Sequence, residues 1–269
     1  TIYALFKRDG ILYRAEYTFR VMDCLGCGVQ TADGKWITVS CYNLGSKLDA
    51  GQIPPPTSYN PLIVGDRYQW GRITDGHEKA DSQIFEPWPA IGEITYPTTP
   101  IELLNANGQP VPDGLFNDRT GKFIPVTAAS NALFDGDWST RHDQKLWGDG
   151  SQNPQMIKSV SDPCPTGFRL PTKQEMTAII NVLEVNDSRQ GAVTKATDDI
   201  STLYLPYVTT RATNGTLLPS SDAIKAQYWT STTTANANAV NALRIETGGM
   251  SIIALDRAWG NAVRCIADK

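Results

Sequence analysis

The sequence lacks several features that would assign it to a familiar functional class. Its 269 residues include only two histidines and four methionines. No apolar run approaches the roughly 20 residues of a membrane-spanning helix. No run of lysine or arginine is present, and the formal net charge is −4, which argues against nucleic acid or an anionic membrane as the partner. We therefore expect neither a membrane span nor a nucleic-acid-binding chain.

Catalytic and cofactor signatures are also missing. There is no Gly-x-Ser-x-Gly elbow, no His-Glu-x-x-His pair, no P-loop and no dinucleotide-binding glycine pattern. A catalytic triad would have to use His77 or His142, which stand apart in the sequence without any local cue. Acidic pairs exist among the 28 acidic residues, but sequence spacing favours none of them for glycoside hydrolysis. We therefore assign no catalytic residue, no metal ligand and no cofactor.

Cysteine is sparse but informative, with five residues in the chain. Cys164 precedes a predicted helix and Cys265 lies in the last predicted strand. A disulfide between them would close a loop of about a hundred residues and stabilise the fold by on the order of 4 kcal/mol. Cys24 and Cys27 form a Cys-x-x-Cys pair, but no histidine lies near it, which disfavours zinc. We favour a disulfide between Cys41 and one member of this pair. Cys27 is the candidate, the choice between the two stays open, and the remaining cysteine is expected to be free.

The strongest local signal is a helix that begins after Thr172. Thr172 and Glu175 form a capping box. Apolar side chains then recur at helical spacing, at Met176, Ile179, Ile180 and Leu183. Asp33-Gly34 predicts a hairpin turn. Consecutive strands are predicted at Tyr228–Thr233, Ala242–Glu246, Ser251–Leu255 and Ala262–Ile266. The pattern predicts an α+β fold with antiparallel strands, one long capped helix and many loops.

Residues from about 73 to 150 are rich in loop-forming types and predict an insertion. Within it, the stretch from Asp135 to Asp149 carries several carboxylates among glycines, and calcium favours such oxygen ligands. The EF-hand spacing with its terminal glutamate is absent. A solvated turn with Trp138 and Trp147 pointing inward is the preferred interpretation, and calcium binding stays open.

Three motifs, in order along the chain, resemble one family. They are Cys164–Thr172 (CPTGFRLPT), Tyr228–Thr232 (YWTST) and Arg257–Cys265 (RAWGNAVRC). Together with Trp36–Gly45 and Gly65–Arg72, they resemble the FISUMP or "major paralogous" domain of Bacteroidetes and Fibrobacter surface proteins. The resemblance covers residues 24–269 and implies a C-type-lectin-like fold. That fold is akin to the formylglycine-generating enzymes and to the variable proteins of diversity-generating retroelements. Residues 1–23 would then be an N-terminal strand segment or the end of a preceding module.

The resemblance also implies where a ligand would bind. In the retroelement-diversified lectin-fold proteins, ligand contacts come from C-terminal strands and loops on one face. The segment 230–241 of this chain is rich in hydroxyl and amide side chains, which both donate and accept hydrogen bonds. Trp229 is assigned to the core. We expect one exposed recognition face near the end of the antiparallel strands, formed by Asn236, Asn238, Asn241, Arg244, Trp259 and Asn261.

The expected function is therefore a secreted or surface-anchored binding module, and not an enzyme. Its partner would be a protein or glycan ligand at a cell or host surface. The Glu-Pro-Asn and Trp-Asn-Asp signature of calcium-dependent sugar binding is absent, so that mode is not implied. Two alternatives stay open. One is an enzyme on the same fold, with a formylglycine-generating-like or glycan-processing activity. The other is a structural tip or stalk subunit of a surface appendage.

Overall fold

The computed structural model describes residues 2–8, 11–17, 27–48, 57–85, 121–126, 136–138, 143–148, 157–195, 202–221, 223–236 and 238–268. Within these ranges the chain forms one α-helix and many short strands, and the paired strands all run antiparallel. The predicted α+β class is confirmed at this level. The α-helix of the described ranges is too short to cross a membrane.

The strands are numbered in chain order. The first eight are β1 (Ile2–Arg8), β2 (Ile11–Tyr17), β3 (Gly28–Gln30), β4 (Trp36–Thr38), β5 (Tyr68–Gln69), β6 (Phe168–Arg169), β7 (Leu183–Asn186) and β8 (Gly191–Thr194). The others are β9 (Tyr204–Pro206), β10 (Thr210–Arg211), β11 (Leu217–Leu218), β12 (Ala226–Thr233), β13 (Ala239–Glu246), β14 (Gly249–Asp256), β15 (Gly260–Asn261) and β16 (Ile266–Ala267).

These strands form several small sheets. The central sheet has the order β12-β13-β14, and a second sheet runs β11-β10-β15-β5. A third has the order β7-β8-β9, and the pairs β1–β2, β3–β4 and β6–β16 complete the set. The Asp33-Gly34 turn joins β3 to β4 as predicted, and Gly34 has φ +80°, a conformation that glycine adopts without steric cost.

The α-helix of the described ranges, α1 (Lys173–Ile180), begins with the predicted capping box. The Thr172 hydroxyl accepts from the Glu175 amide at 3.2 Å, and the Glu175 carboxylate accepts from the Thr172 amide at 2.8 Å. The prediction of a long helix is wrong, because α1 has only eight residues. Leu183 opens β7 instead, where it pairs with Thr194. The strand pairing thus overrides the helical spacing at this end.

Both predicted disulfides are present. Cys27 bonds Cys41 across a separation of 14 residues, and Cys164 bonds Cys265 across 101. Loop-closure entropy gives about 3 kcal/mol for the short bridge and about 4.7 kcal/mol for the long one. The sequence left open whether Cys24 or Cys27 pairs with Cys41, and the structure selects Cys27. Cys24 lies outside the described residues, so its free thiol stays a prediction.

The central sheet is covered on both faces. Tyr228 and Leu243 point into one apolar cluster together with Met176 and Ile179 of α1. Trp229, the next residue along β12, points into the opposite cluster. That second cluster also contains Tyr68, Trp70 and Trp147, and Trp138 is buried close by in a smaller one. The inward placement predicted for Trp138, Trp147 and Trp229 is confirmed.

The segment after β15 is not the single strand that the sequence predicts at Ala262–Ile266. Its carbonyl groups accept hydrogen bonds from three separate places: Ala262 from Trp229, Val263 from Leu44, and Cys265 from Ser40. The backbone therefore changes partner from residue to residue, and only Ile266–Ala267 joins a strand pair. This segment ties the central sheet to the chain that follows β4.

Candidate functional site

The predicted C-terminal recognition face does not form one exposed surface. Asn236 is exposed, while Arg244 and Trp259 are half-buried. The expectation of exposure is wrong for Asn238, Asn241 and Asn261, which are 6%, 7% and 0% exposed. A ligand-binding role for the six residues stays a prediction.

The buried asparagines serve the packing of the sheet. The Asn241 side-chain amide donates to the carbonyls of Thr232 and Thr233 at 3.1 and 3.0 Å, where the register between β12 and β13 shifts. The Gln227 amide, with its nitrogen turned toward Asn261, donates to that residue at 3.0 Å. In the same orientation it accepts from Arg244 at 3.2 Å. These amides satisfy backbone and side-chain groups that burial would otherwise leave without partners.

The hydroxyl-rich run of β12 is buried for the same kind of reason. The Thr232 hydroxyl accepts from the Lys173 amide at 2.8 Å, so it satisfies a free N–H at the first turn of α1. The Thr230 hydroxyl donates to the Asn241 carbonyl at 2.7 Å, and the Ser231 amide donates to the Pro171 carbonyl at 2.9 Å. The polar composition of this segment therefore reflects internal hydrogen bonding.

A buried acidic and histidine cluster escaped the sequence analysis. The metal-ligating atoms of Asp75, His77 and Glu78 lie within 4.8 Å of one another. However, His77 Nε2 accepts from the Gln69 amide at 3.1 Å, which places the ring proton on Nδ1, facing Asp75 at 2.6 Å. Both ring nitrogens are thus engaged within the protein. Burial and the charge of Arg72 lower the pKa of His77 to about 3. We interpret the cluster, in which His77 is neutral, as a structural anchor of the segment that follows β5.

An apolar groove lies between the β3–β4 hairpin, α1 and β16, and we call it the Trp36 groove. Its volume is about 670 Å³, and its lining includes Asp33, Lys35, Trp36, Arg169, Glu175 and Ala267. The indole of Trp36 is half-buried and lies against Gly28. A Cβ at Gly28 would approach a Trp36 ring carbon to 2.8 Å, so glycine makes room for the ring.

The four charged side chains that line the Trp36 groove form two ion pairs. Lys35 lies 2.9 Å from Asp33 at the hairpin turn, and hydrogen bonds from Thr31 and Lys35 lower the pKa of Asp33 to about 2. Arg169 donates to both Glu175 oxygens, at 2.8 and 2.7 Å, in a bidentate pair. The groove is therefore close to neutral, and each of its charged groups is paired.

Two disulfides hold the walls of this groove. Cys27 immediately precedes β3, and its bond to Cys41 closes the base of the hairpin. Cys265 immediately precedes β16, and its bond to Cys164 fixes the β6–β16 pair. The hairpin and the pair also meet directly, because the Ser40 amide donates to the Cys265 carbonyl at 2.9 Å. A ligand would meet a preformed surface and would lose little free energy in ordering it.

Comparisons with protein-family models, with curated proteins and with solved structures found no match to this chain.

Proposed function

We propose that this chain is a recognition module of a secreted or cell-surface protein, and that the Trp36 groove binds its protein or glycan ligand. One observation carries the proposal: the groove combines a half-exposed indole with fully paired charges and disulfide-linked walls. A rigid aromatic side chain on a neutral preformed surface suits recognition by contact area. The motifs that resemble the FISUMP domain, and the C-type-lectin-like fold that they imply, are consistent with this role.

An enzymatic role has less support. A catalytic site needs an acid, base or nucleophile that is free to act on a substrate. The charged groups of the Trp36 groove are paired, and Cys164 and Cys265 are bonded to each other. The late cysteines on which formylglycine-generating enzymes depend are thus not supplied by Cys265. The adhesion role is the stronger proposal.

A structural appendage subunit is the second candidate. The β1–β2 hairpin forms a sheet of its own, and within the described ranges no other strand pairs with either outer edge. Unpaired edges of seven-residue strands can accept a strand from another chain. Size-exclusion chromatography tests this candidate directly. Assembly of the purified chain into oligomers that deletion of residues 1–17 abolishes would favour it.

The recognition role is tested by probing glycan and protein arrays with the purified chain. We expect Trp36→Ala to abolish binding to the array ligands that the wild type retains. Leu217→Ala is the matched control, because Leu217 is an apolar residue 40% exposed outside the groove. Equal binding by the wild type and the Trp36 variant would refute the proposed site.

A further inference from the structure

A second cavity lies away from the Trp36 groove and shares none of its lining residues. It measures about 800 Å³, and three serine and threonine side chains contribute to its lining. We call it the tyrosine pocket and define it by Tyr59, Asp187, Gln190, Tyr207 and Lys225. The side chain of Tyr59 is exposed and offers an aromatic surface to whatever enters.

The carboxylate of Asp187 is the fixed polar group of the tyrosine pocket. Its Oδ1 atom accepts from the Tyr207 hydroxyl and from the Lys225 ammonium, each at 2.5 Å. These two hydrogen bonds lower the pKa of Asp187, so it is ionised at neutral pH. Its Oδ2 atom accepts no hydrogen bond from the described part of the chain, and the side chain is 64% exposed. The pocket therefore presents an oriented acceptor to solvent.

The two charges of the tyrosine pocket cancel. Lys225 is nearly buried, pairs with Asp187 and lies over the Tyr207 ring at 5.0 Å. No other lining residue in the described part of the chain carries a charge. A phosphate or carboxylate ligand would meet no unpaired cation in the pocket. A neutral ligand could bind without breaking the ion pair between Lys225 and Asp187.

The turn that carries Asp187 is held from several sides. The Tyr204 hydroxyl donates to the carbonyls of Arg189 and Gln190 at 2.6 and 2.9 Å. The Tyr59 amide donates to the Arg189 carbonyl at 3.1 Å, and the Tyr207 amide donates to the Gln190 carbonyl at 2.7 Å. Asp187 and Gln190 thus sit on a rigid turn, as a preorganised site requires.

Gln190 adopts a conformation that its side chain disfavours. Its φ and ψ are both 52°, and it is the only non-glycine residue with positive φ in the described ranges. Left-handed backbone is costly for a residue with a Cβ. Gly191 follows directly, but a Cβ there would lie 2.3 Å from a Tyr204 ring carbon, so its glycine serves close packing. The Gln190 side chain is exposed and contributes to the lining of the pocket.

We infer that the tyrosine pocket binds a neutral saccharide through its hydroxyl groups. The free oxygen of Asp187 accepts from sugar hydroxyls, and the amide of Gln190 and the hydroxyl side chains of the lining both donate and accept. The exposed ring of Tyr59 offers a surface to the apolar face of a sugar. This site goes beyond the proposed recognition at the Trp36 groove, and each of the two can fail without the other.

The test is saturation-transfer NMR with a panel of neutral sugars: the common hexoses, pentoses, deoxyhexoses and N-acetylhexosamines. Inorganic phosphate and N-acetylneuraminate are the charged probes. We expect the wild type to bind at least one neutral sugar and neither charged probe. Asp187→Asn, which keeps the size of the side chain, should weaken that binding at least tenfold. Glu184→Gln, an exposed carboxylate on β7 outside the pocket, should leave it unchanged.

Gln190→Gly is the second variant, because Asp187→Asn also removes an ion pair. Relief of the left-handed strain should raise the melting temperature, while loss of the amide should weaken sugar binding severalfold. If Gln190 had only a structural role, the variant would not combine a higher melting temperature with weaker sugar binding. The inference is overturned if no neutral sugar binds, if a charged probe is preferred, or if both variants bind as the wild type does. Sugar binding that Trp36→Ala abolishes and Asp187→Asn leaves intact would assign it to the groove instead.

Discussion

The C-terminal strands and the β3–β4 hairpin use polar residues in opposite ways. In β12 and β13, hydroxyl and amide side chains are buried and bond to backbone groups of the sheet and of α1. In the hairpin, Asp33 and Lys35 remain 59% and 80% exposed around the half-buried Trp36. In this protein a run of short polar residues marks a buried strand whose side chains bond within the protein. The exposed surface is instead formed by the β3–β4 hairpin.

The difference follows from what covers each sheet. β12 separates two apolar clusters, with Tyr228 facing one and Trp229 the other, so its residues from Ala226 to Thr232 are buried. Val29 brings the hairpin against the core, whereas Trp36 and Thr38 border the groove. Polar groups in a strand buried on both faces must find partners within the protein.

The largest expected difference between the two regions is the loss of unfolding free energy when a tryptophan is replaced by alanine. Trp229→Ala removes a fully buried ring and the hydrogen bond from its Nε1 to the Tyr68 carbonyl. We expect it to lower the free energy of unfolding by about 3–5 kcal/mol, against about 1 kcal/mol for Trp36→Ala. Urea denaturation of the two variants measures both values. Equal losses of unfolding free energy in the two variants would contradict the proposed difference between the two regions.

Acid should destabilise the buried network and spare the hairpin. Because burial lowers the pKa of His77 from 6.5 to about 3, the unfolded chain takes up a proton there that the folded chain refuses. The contribution of His77 is thus complete above pH 6.5 and is lost as the pH falls toward 3. We expect a loss on the order of 3 kcal/mol between pH 6.5 and 4.

The pH measurement has a matched pair of variants. His77→Gln should flatten the dependence of unfolding free energy on pH over this range. Asp33→Asn should leave it nearly unchanged, because the pKa of Asp33 lies below this range both in the unfolded chain, at 3.8, and in the folded chain, at about 2. A flat wild-type profile would show that His77 is not held neutral.

The smallest expected difference in stability is between alanine variants of the buried Asn241 and the exposed Asn236. Asn241→Ala would leave the carbonyls of Thr232 and Thr233 without their side-chain donor in a buried setting. We expect a loss of about 1–2 kcal/mol. Asn236→Ala, in the exposed loop between β12 and β13, should stay within about 0.5 kcal/mol of the wild type. Thermal denaturation of the two variants measures both losses of stability. A larger loss for Asn236→Ala than for Asn241→Ala would contradict the assignment of Asn241 to the buried hydrogen-bond network.

The sequence predicted the features that depend on local chemistry. The capping box at Thr172, the turn at Asp33-Gly34 and the burial of Trp229 each follow from a few neighbouring residues, and all are confirmed. The long disulfide was also predicted, because Cys164 and Cys265 flank elements that a closed domain must bring together.

Features that depend on distant partners could not be predicted in this way. Leu183 continues the helical spacing of α1, but pairing with Thr194 draws it into β7. Asn241 is polar, but its strand is enclosed by clusters assembled from distant segments of the chain. The structural role of His77 depends on its hydrogen bonds with the Gln69 amide and with Asp75, and no sequence motif predicts this arrangement.

The central claim is that recognition uses the Trp36 groove and not the predicted face of Asn236, Asn238, Asn241, Arg244, Trp259 and Asn261. The most direct measurement compares the affinity of Trp36→Ala and Trp259→Ala for one array ligand, since both rings are half-buried and only Trp36 lines the groove. We predict at least a tenfold loss for Trp36→Ala and less than a threefold change for Trp259→Ala, which corresponds to about 1.4 kcal/mol or more against about 0.7 kcal/mol or less. A loss confined to Trp259→Ala would contradict the account and place the ligand on the C-terminal face.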